Sequence, residues 1–180
     1  MALPVVRELA GSAPVRTLAQ SVLGKNCFAV KGTFFNKTKE SNWKVAWHQD
    51  LTIMVRDRRE VQGFGPWTVK EGIVHVQPTT AVLSGILAIR LHLDESGLDN
   101  GPLRVIPGSH KPGRLTSTEV ADQKKGSSVV CTIPRGGALL MRPLLLHASS
   151  ACAVPKPRRV IHLEFSADEL LQGLHWFDRV

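Results

Sequence analysis

After Gly24 the chain becomes a succession of short β-rich runs cut by Gly, Pro and Asn, and that texture limits its fold more than any other feature. The runs predict strands at Cys27–Phe35, Lys44–Asp50, Thr52–Arg56, Gly72–Gln77, Leu87–Asp94, Leu103–Ile106, Val129–Ile133, Ala138–Leu145 and Arg159–Phe165. The clearest alternates Leu87, Ile89, Leu91 and Leu93 with Ala88, Arg90, His92 and Asp94, the period of two that a pleated strand imposes. Asn100-Gly101, Pro107-Gly108 and Gly136-Gly137 supply turns. Before Gly24 the pattern is helical. Ser12 is placed to cap a helix whose first turn holds Pro14, with Val15, Leu18 and Val22 on one face and Gly24 as the stop. Ala167–Leu174 reads as one more short helix. Strand after strand behind a helical start points to an antiparallel sandwich or jelly roll, and away from a βαβ fold. No repeat or linker divides the chain, so residues 1–180 are expected to form a single domain.

Composition removes several function classes. A hydrophobic content of 43% argues against disorder. No apolar run approaches the roughly 18 residues of a membrane span, and the alternating start MALPVVRELAGSAPVR lacks the apolar core of a secretion signal. Cys27, Cys131 and Cys152 are scattered and odd in number, which suggests neither a disulfide framework nor a CxxC site. The expected setting is cytoplasmic. The net charge of +8 raises nucleic acid as a partner, but the basic residues are dispersed and no recognition motif accompanies them. The expected partner is a small-molecule substrate, with no nucleic acid and no membrane, and the chain a monomer or homodimer.

The chemistry begins at Trp47-His48-Gln49-Asp50. On a strand, His48 and Asp50 project from one face, an imidazole beside a carboxylate. One more histidine completes a 2-His-1-carboxylate facial triad, which leaves positions open on an iron(II) ion. His147 is the candidate, because it ends an apolar run (Leu139, Leu140, Leu144, Leu145, Leu146) where an imidazole is costly without a partner. A histidine satisfied by a backbone carbonyl is the competing reading there. Arg158 follows 11 residues after His147 and offers a planar fork suited to the far carboxylate of a dicarboxylate cosubstrate. In the Arg158-Arg159 doublet, Arg158 shares a face with Val160, His162 and Glu164, while Arg159 shares one with Ile161, Leu163 and Phe165. Arg158 is preferred for the pocket because the second face is the more apolar; Arg159 remains the alternative.

His-Gln-Asp, Asn-Gly-Pro-Leu-Arg-Val-Ile-Pro-Gly-Ser-His at 100–110, His-Ala-Ser at 147–149 and the following arginine occur in the order seen in one family. Over roughly Gly32 to Phe165 the chain resembles the phytanoyl-CoA dioxygenase family of iron(II)/2-oxoglutarate oxygenases. The resemblance implies a mainly β fold, a double-stranded β-helix (jelly roll) with N-terminal helices packed on one sheet. It implies Fe(II), with 2-oxoglutarate as cosubstrate and O2, and it carries the metal ligands onto His48, Asp50 and His147. It carries the cosubstrate contacts onto Arg158 and Ser149. The reaction it implies is oxidation of a small organic molecule, usually a hydroxylation, with release of succinate and CO2. Halogenating relatives replace the metal-binding carboxylate by a small residue, so Asp50 favours hydroxylation.

The remaining candidates carry weaker expectations. Trp47 and Trp67 read as core more readily than as pocket walls. Asn36, Lys37 and Asn42 read as surface turn residues, with contact to the cosubstrate as the alternative. His110 reads as holding a loop, and His75, His92, His162 and His175 have no spacing for a second metal site. Gly63–Trp67 reads as a connector or as a loop that covers the pocket. Two rivals stand beside the enzyme: a non-catalytic jelly-roll binding protein that retains a metal site, and a cupin-type oxygenase that needs no 2-oxoglutarate.

Overall fold

The computed structural model describes residues 1, 3–38, 40, 42–152 and 156–180. Two helices, α1 (Pro4–Gly11) and α2 (Ala13–Leu23), precede strands β1 (Phe28–Lys37), β2 (Val45–His48), β3 (Ile53–Val55), β4 (Trp67–Lys70) and β5 (Ile73–Val76). A short helix α3 (Thr80–Gly85) leads to β6 (Leu87–His92), a 3-10 turn at Leu98–Asn100 and β7 (Leu103–Val105). Helix α4 (Ser117–Gln123), β8 (Val129–Cys131), β9 (Ala138–Met141), β10 (His147–Ser149) and β11 (Arg158–Ser166) complete the chain. One four-stranded sheet has the order β1-β11-β6-β9 and a second the order β2-β10-β7-β8. Strands far apart in sequence are neighbours in both, the arrangement of a double-stranded β-helix, and the fold is mainly antiparallel β. Among the described residues no helix is long and apolar enough to cross a membrane.

The chain divides into two compact units, and the division falls within β1, β6 and β11. The first comprises Met1–Thr33, Leu51–Ile89 and Leu163–Val180. It holds α1, α2, α3 and a three-stranded sheet of order β3-β5-β4. Helix α1 lies on β1 at Gly32, where a Cβ would meet the Val6 side chain at 2.9 Å. On α2 the buried positions are Val15 and Ala19, one helical turn apart, whereas Val22 is exposed. The Ser12 hydroxyl donates back to the Leu9 carbonyl (2.7 Å) and does not cap α2. Ala167–Leu174 is not a helix. Gln172 and Gly173 both have positive φ, and the chain beyond them pairs with β3 through Arg56 N–H to His175 O (3.1 Å) and Phe177 N–H to Met54 O (3.1 Å). The Gly63–Trp67 stretch is a loop only as far as Pro66, because Trp67 opens β4.

The second unit comprises Phe34–Asp50 and Arg90–His162. Its β10 lies between β2 and β7, with His147 opposite both His48 and Val105. The expected long strand Ala138–Leu145 stops at Met141, because Pro143 brings no N–H to a ladder and the chain turns through a Leu145 N–H to Arg142 O bond (2.9 Å). His147 therefore opens a new strand instead of ending an old one. Strand β6 is covered on both faces, so its polar side, Arg90 and His92, is buried while Leu93 just beyond it is 36% exposed.

Candidate active site

The antiparallel register of β2 and β10 sets His48 directly across from His147, with ring centroids 4.2 Å apart. Asp50 lies just past the end of β2. Its N–H leaves the ladder for the Pro143 carbonyl (2.9 Å), and the turn this creates brings its carboxylate to both rings. The His48 Nε2 is 3.6 Å from one carboxylate oxygen and the His147 Nε2 is 3.7 Å from the other. One ligand atom from each residue lies within 4.8 Å of the others, a cluster able to hold a metal ion.

Both imidazoles are oriented the same way. His48 Nδ1 donates to Ala46 O at 2.8 Å and His147 Nδ1 donates to Leu145 O at 2.7 Å. A carbonyl only accepts, so the proton sits on Nδ1 and the lone pair of each Nε2 faces Asp50. The Asp50 carboxylate, 3.6 Å from Nε2, raises the His48 pKa above its ordinary value, and burial pushes that of His147 down to about 4. The side chains of His48 and Asp50 are 40% and 30% exposed and that of His147 is 4% exposed, so the cluster opens to solvent on the β2 side.

Gln49, between the two ligand candidates, points the other way and is buried. Its amide donates to Gly113 O (2.9 Å) and Leu144 O (2.7 Å) and accepts from Leu115 N–H (2.8 Å), which ties the segment to two loops. In the Pro-Gly-Ser-His motif the Ser109 hydroxyl accepts from Leu146 N–H at 2.8 Å, next to His147, and the His110 carbonyl accepts from Gly113 N–H at 3.1 Å.

The arginine doublet splits. Arg158 is buried and its Nη1 donates to the Gly101 carbonyl, whereas Arg159 is half exposed and makes a two-pronged pair with Asp94 (both 2.8 Å). That pair holds Asp94 down at about 2. Gly101 has φ 59° and a Cβ there would meet the Ser150 carbonyl at 2.5 Å, so the Asn100-Gly101 signal marks a close approach that seats Arg158. Ser149 is buried beside them. Its hydroxyl accepts from Lys37 Nζ (3.3 Å), which also donates to Ser150 O (3.0 Å).

Lys37 is a correction to the sequence reading. Expected at a surface turn, it is 1% exposed, lies in electrostatic reach of Arg158 and is pushed down to about 8, mainly by burial. Asn42, also expected at the surface, grips the Cys152 backbone through both amide atoms (2.6 and 3.0 Å). Arg90 was passed over as well. It is buried, its Nη1 lies 3.1 Å from His162 Nδ1, and its head packs over the Phe35 ring. Arg90 lies on the alternating Leu87–Asp94 run between Ile89 and Leu91, whereas Lys37, flanked by Asn36 and Thr38 beyond the expected strand, carries no sequence signal of burial.

The His48, Asp50 and His147 cluster, able to hold a metal ion, sits in a mainly antiparallel β fold with the strand order of a double-stranded β-helix. The chain belongs to the phytanoyl-CoA dioxygenase family (PhyH), whose sequence model matches residues 4–160. That family uses Fe(II), 2-oxoglutarate and O2. No curated protein matches the chain. Among solved structures, EctD from S. alaskensis with bound Fe is 22% identical with a TM-score of 0.67, over 94% of this chain and 56% of its own. EctD with 2-oxoglutarate and 5-hydroxyectoine gives 23% identity and 0.64, over 92% and 53%. SnoN, described as a non-heme α-ketoglutarate-dependent epimerase from nogalamycin biosynthesis, gives 16% and 0.64, over 91% and 56%. The chain thus spans little more than half the length of these structures, and the likeness is one of fold.

Proposed function

We propose that this chain is an iron(II)- and 2-oxoglutarate-dependent dioxygenase that hydroxylates a small organic substrate. The observation that carries the reading is the convergence of two Nε2 lone pairs and one carboxylate within 4.8 Å, each imidazole locked by a carbonyl acceptor. His48, Asp50 and His147 would hold the ion; their donor set of two neutral imidazoles and one carboxylate suits iron(II) and leaves it open for other ligands. Arg158 and Ser149 would take the distal carboxylate of 2-oxoglutarate, and Lys37 adds a third donor on the same spot. Three donors around one carboxylate fix its direction as well as its charge. The bound metal and cosubstrate supply the oxidising power, and this chain's residues supply position. Burial of His147, Arg158, Ser149 and Lys37 keeps water from competing for the same hydrogen bonds.

The test is succinate formation from 2-oxoglutarate by protein loaded anaerobically with iron(II) and then exposed to oxygen. Wild-type protein should form succinate and His48→Ala should not. Arg158→Gln should lose 2-oxoglutarate binding while still taking up iron. A binding protein that merely retains the metal site would take up iron and form no succinate, and a cosubstrate-independent oxygenase would be indifferent to Arg158→Gln.

A further inference from the structure

Arg90 and Arg158 are two separate buried guanidinium groups in the same unit, held by different anchors. Arg158 is tied to the Gly101 carbonyl with Lys37 and Ser149 nearby, which completes a seat for one carboxylate. Arg90 is tied to His162, four residues further along β11 on the same face, about 13 Å at strand rise. Phe35 braces this second group twice: its ring lies 5.2 Å under the Arg90 head and meets the His162 ring edge-on at 5.9 Å. Arg90 lies in electrostatic reach of Arg158 first and of Asp50 second, and is felt by Lys37 and His147, so it stands between the Arg158 seat and the metal cluster.

The protein satisfies Arg90 only in part, through His162, and leaves the ring of His92, its neighbour two positions on, without a hydrogen-bond partner among the described residues. Among the described residues the Arg90 Nε and both His92 ring nitrogens are buried without a hydrogen-bond partner. Buried polar atoms left in that state are costly unless a ligand meets them. The charge balance agrees. Lys37, Arg90 and Arg158 are buried cations, and iron(II) with the 2-oxoglutarate dianion adds no net charge, so an excess of positive charge remains after both have bound.

Resting on the dioxygenase reading above, we propose that Arg90 anchors a carboxylate of the substrate itself, with His162 and Phe35 as positioning residues, so that the molecule oxidised is a small organic acid. The anchor is distinct from the cosubstrate seat at Arg158. His92 offers a neighbouring donor or acceptor to a second polar group of the same acid.

The probes are acetate, butyrate, benzoate and phenylacetate, each against its own primary amide. They are titrated calorimetrically into protein loaded with iron(II) and saturated with 2-oxoglutarate under nitrogen. In the wild type at least one acid should bind about tenfold or more tighter than its amide, the preference of a site built to pair a charged group. Arg90→Met should erase that preference and leave the affinity for 2-oxoglutarate within about twofold, while Arg158→Met should weaken 2-oxoglutarate. Arg90→Lys, which keeps the charge and loses the fork, should retain a reduced preference and serves if the methionine variant does not fold. Three results overturn the anchor: no preference for acid over amide in the wild type, a preference that survives loss of Arg90, or a loss of 2-oxoglutarate in Arg90→Met equal to that in Arg158→Met. Wild-type protein that takes up iron(II) but no 2-oxoglutarate sinks the dioxygenase reading and the anchor with it; wild-type protein that takes up both and ignores the acids sinks the anchor alone.

Discussion

If Lys37 lines the proposed cosubstrate seat, binding of 2-oxoglutarate should depend on pH in a way that can be measured as protons. Burial and the nearby Arg158 bring its ammonium from 10.5 down to about 8, a penalty of about 3 kcal/mol on the charged form. Below pH 8 the folded chain bears that penalty in full. Between about 8 and 10.5 the folded chain has released a proton that the unfolded chain still holds, so the contribution of Lys37 to stability rises with pH across this window. A carboxylate of 2-oxoglutarate placed beside Nζ offsets the penalty and restores the proton. At about pH 8.5 roughly a quarter of free Lys37 is charged, so saturation should draw in about 0.7 proton per 2-oxoglutarate, and almost none at about pH 7. Over the same range the affinity should fall about fourfold.

The assay is calorimetric titration of 2-oxoglutarate into iron(II)-loaded protein under nitrogen, in two buffers of different ionisation enthalpy at each pH. The difference between buffers gives the proton count directly. Lys37→Met, close in length, should bind more weakly at neutral pH and show no extra uptake at pH 8.5. Equal uptake in wild type and Lys37→Met, or none in either, would refute the placement of this ammonium against the cosubstrate.

Other expected outcomes follow from the same geometry. Gln49→Leu removes three hydrogen bonds and strands two carbonyls and an N–H, so it should cost about 2–4 kcal/mol in urea unfolding. It should also weaken iron(II) about tenfold or more in a competition titration with a chelator, because it loosens the segment that carries His48 and Asp50. Arg159→Gln, at an exposed pair, should leave both melting temperature and 2-oxoglutarate affinity near wild type, whereas Arg158→Gln should abolish cosubstrate binding. Gly101→Ala forces a side chain into a left-handed backbone and against the Ser150 carbonyl. It should destabilise the fold by about 1–3 kcal/mol and impair 2-oxoglutarate binding by displacing the carbonyl that seats Arg158.

Short punctuated runs made a strand-rich sandwich or jelly roll legible, and the choice of the double-stranded β-helix came from the motifs shared with the phytanoyl-CoA dioxygenase family. The spacing of His48 and Asp50 was legible too, although the two do not share a strand: Asp50 reaches its place through a turn in which its N–H donates to the Pro143 carbonyl, an acceptor any residue offers and the sequence therefore does not announce. The capping box of Thr116 and Glu119 that starts α4 was also written in the chain and overlooked. Lys37, Arg90 and His92 were hidden for a different reason. Alternation separates the two faces of a strand without telling which is wet, and the usual rule that apolar residues face inward assumes a dry interior.

That assumption fails on β6, where both faces are buried. On β6 the aliphatic face of Leu87 and Ile89 is buried, and so is the opposite face with Ala88, Arg90 and His92. Solvent-facing strand positions favour residues that water satisfies at no cost, and a pair of buried side chains with unpartnered nitrogens does the reverse. A ligand that meets the Arg90 Nε and the His92 ring nitrogens would recover the stability lost by burying them. The same two residues therefore link fold and function: ligand-free protein should melt lower than protein holding metal, cosubstrate and an organic acid together, and the increment from the acid should vanish with Arg90.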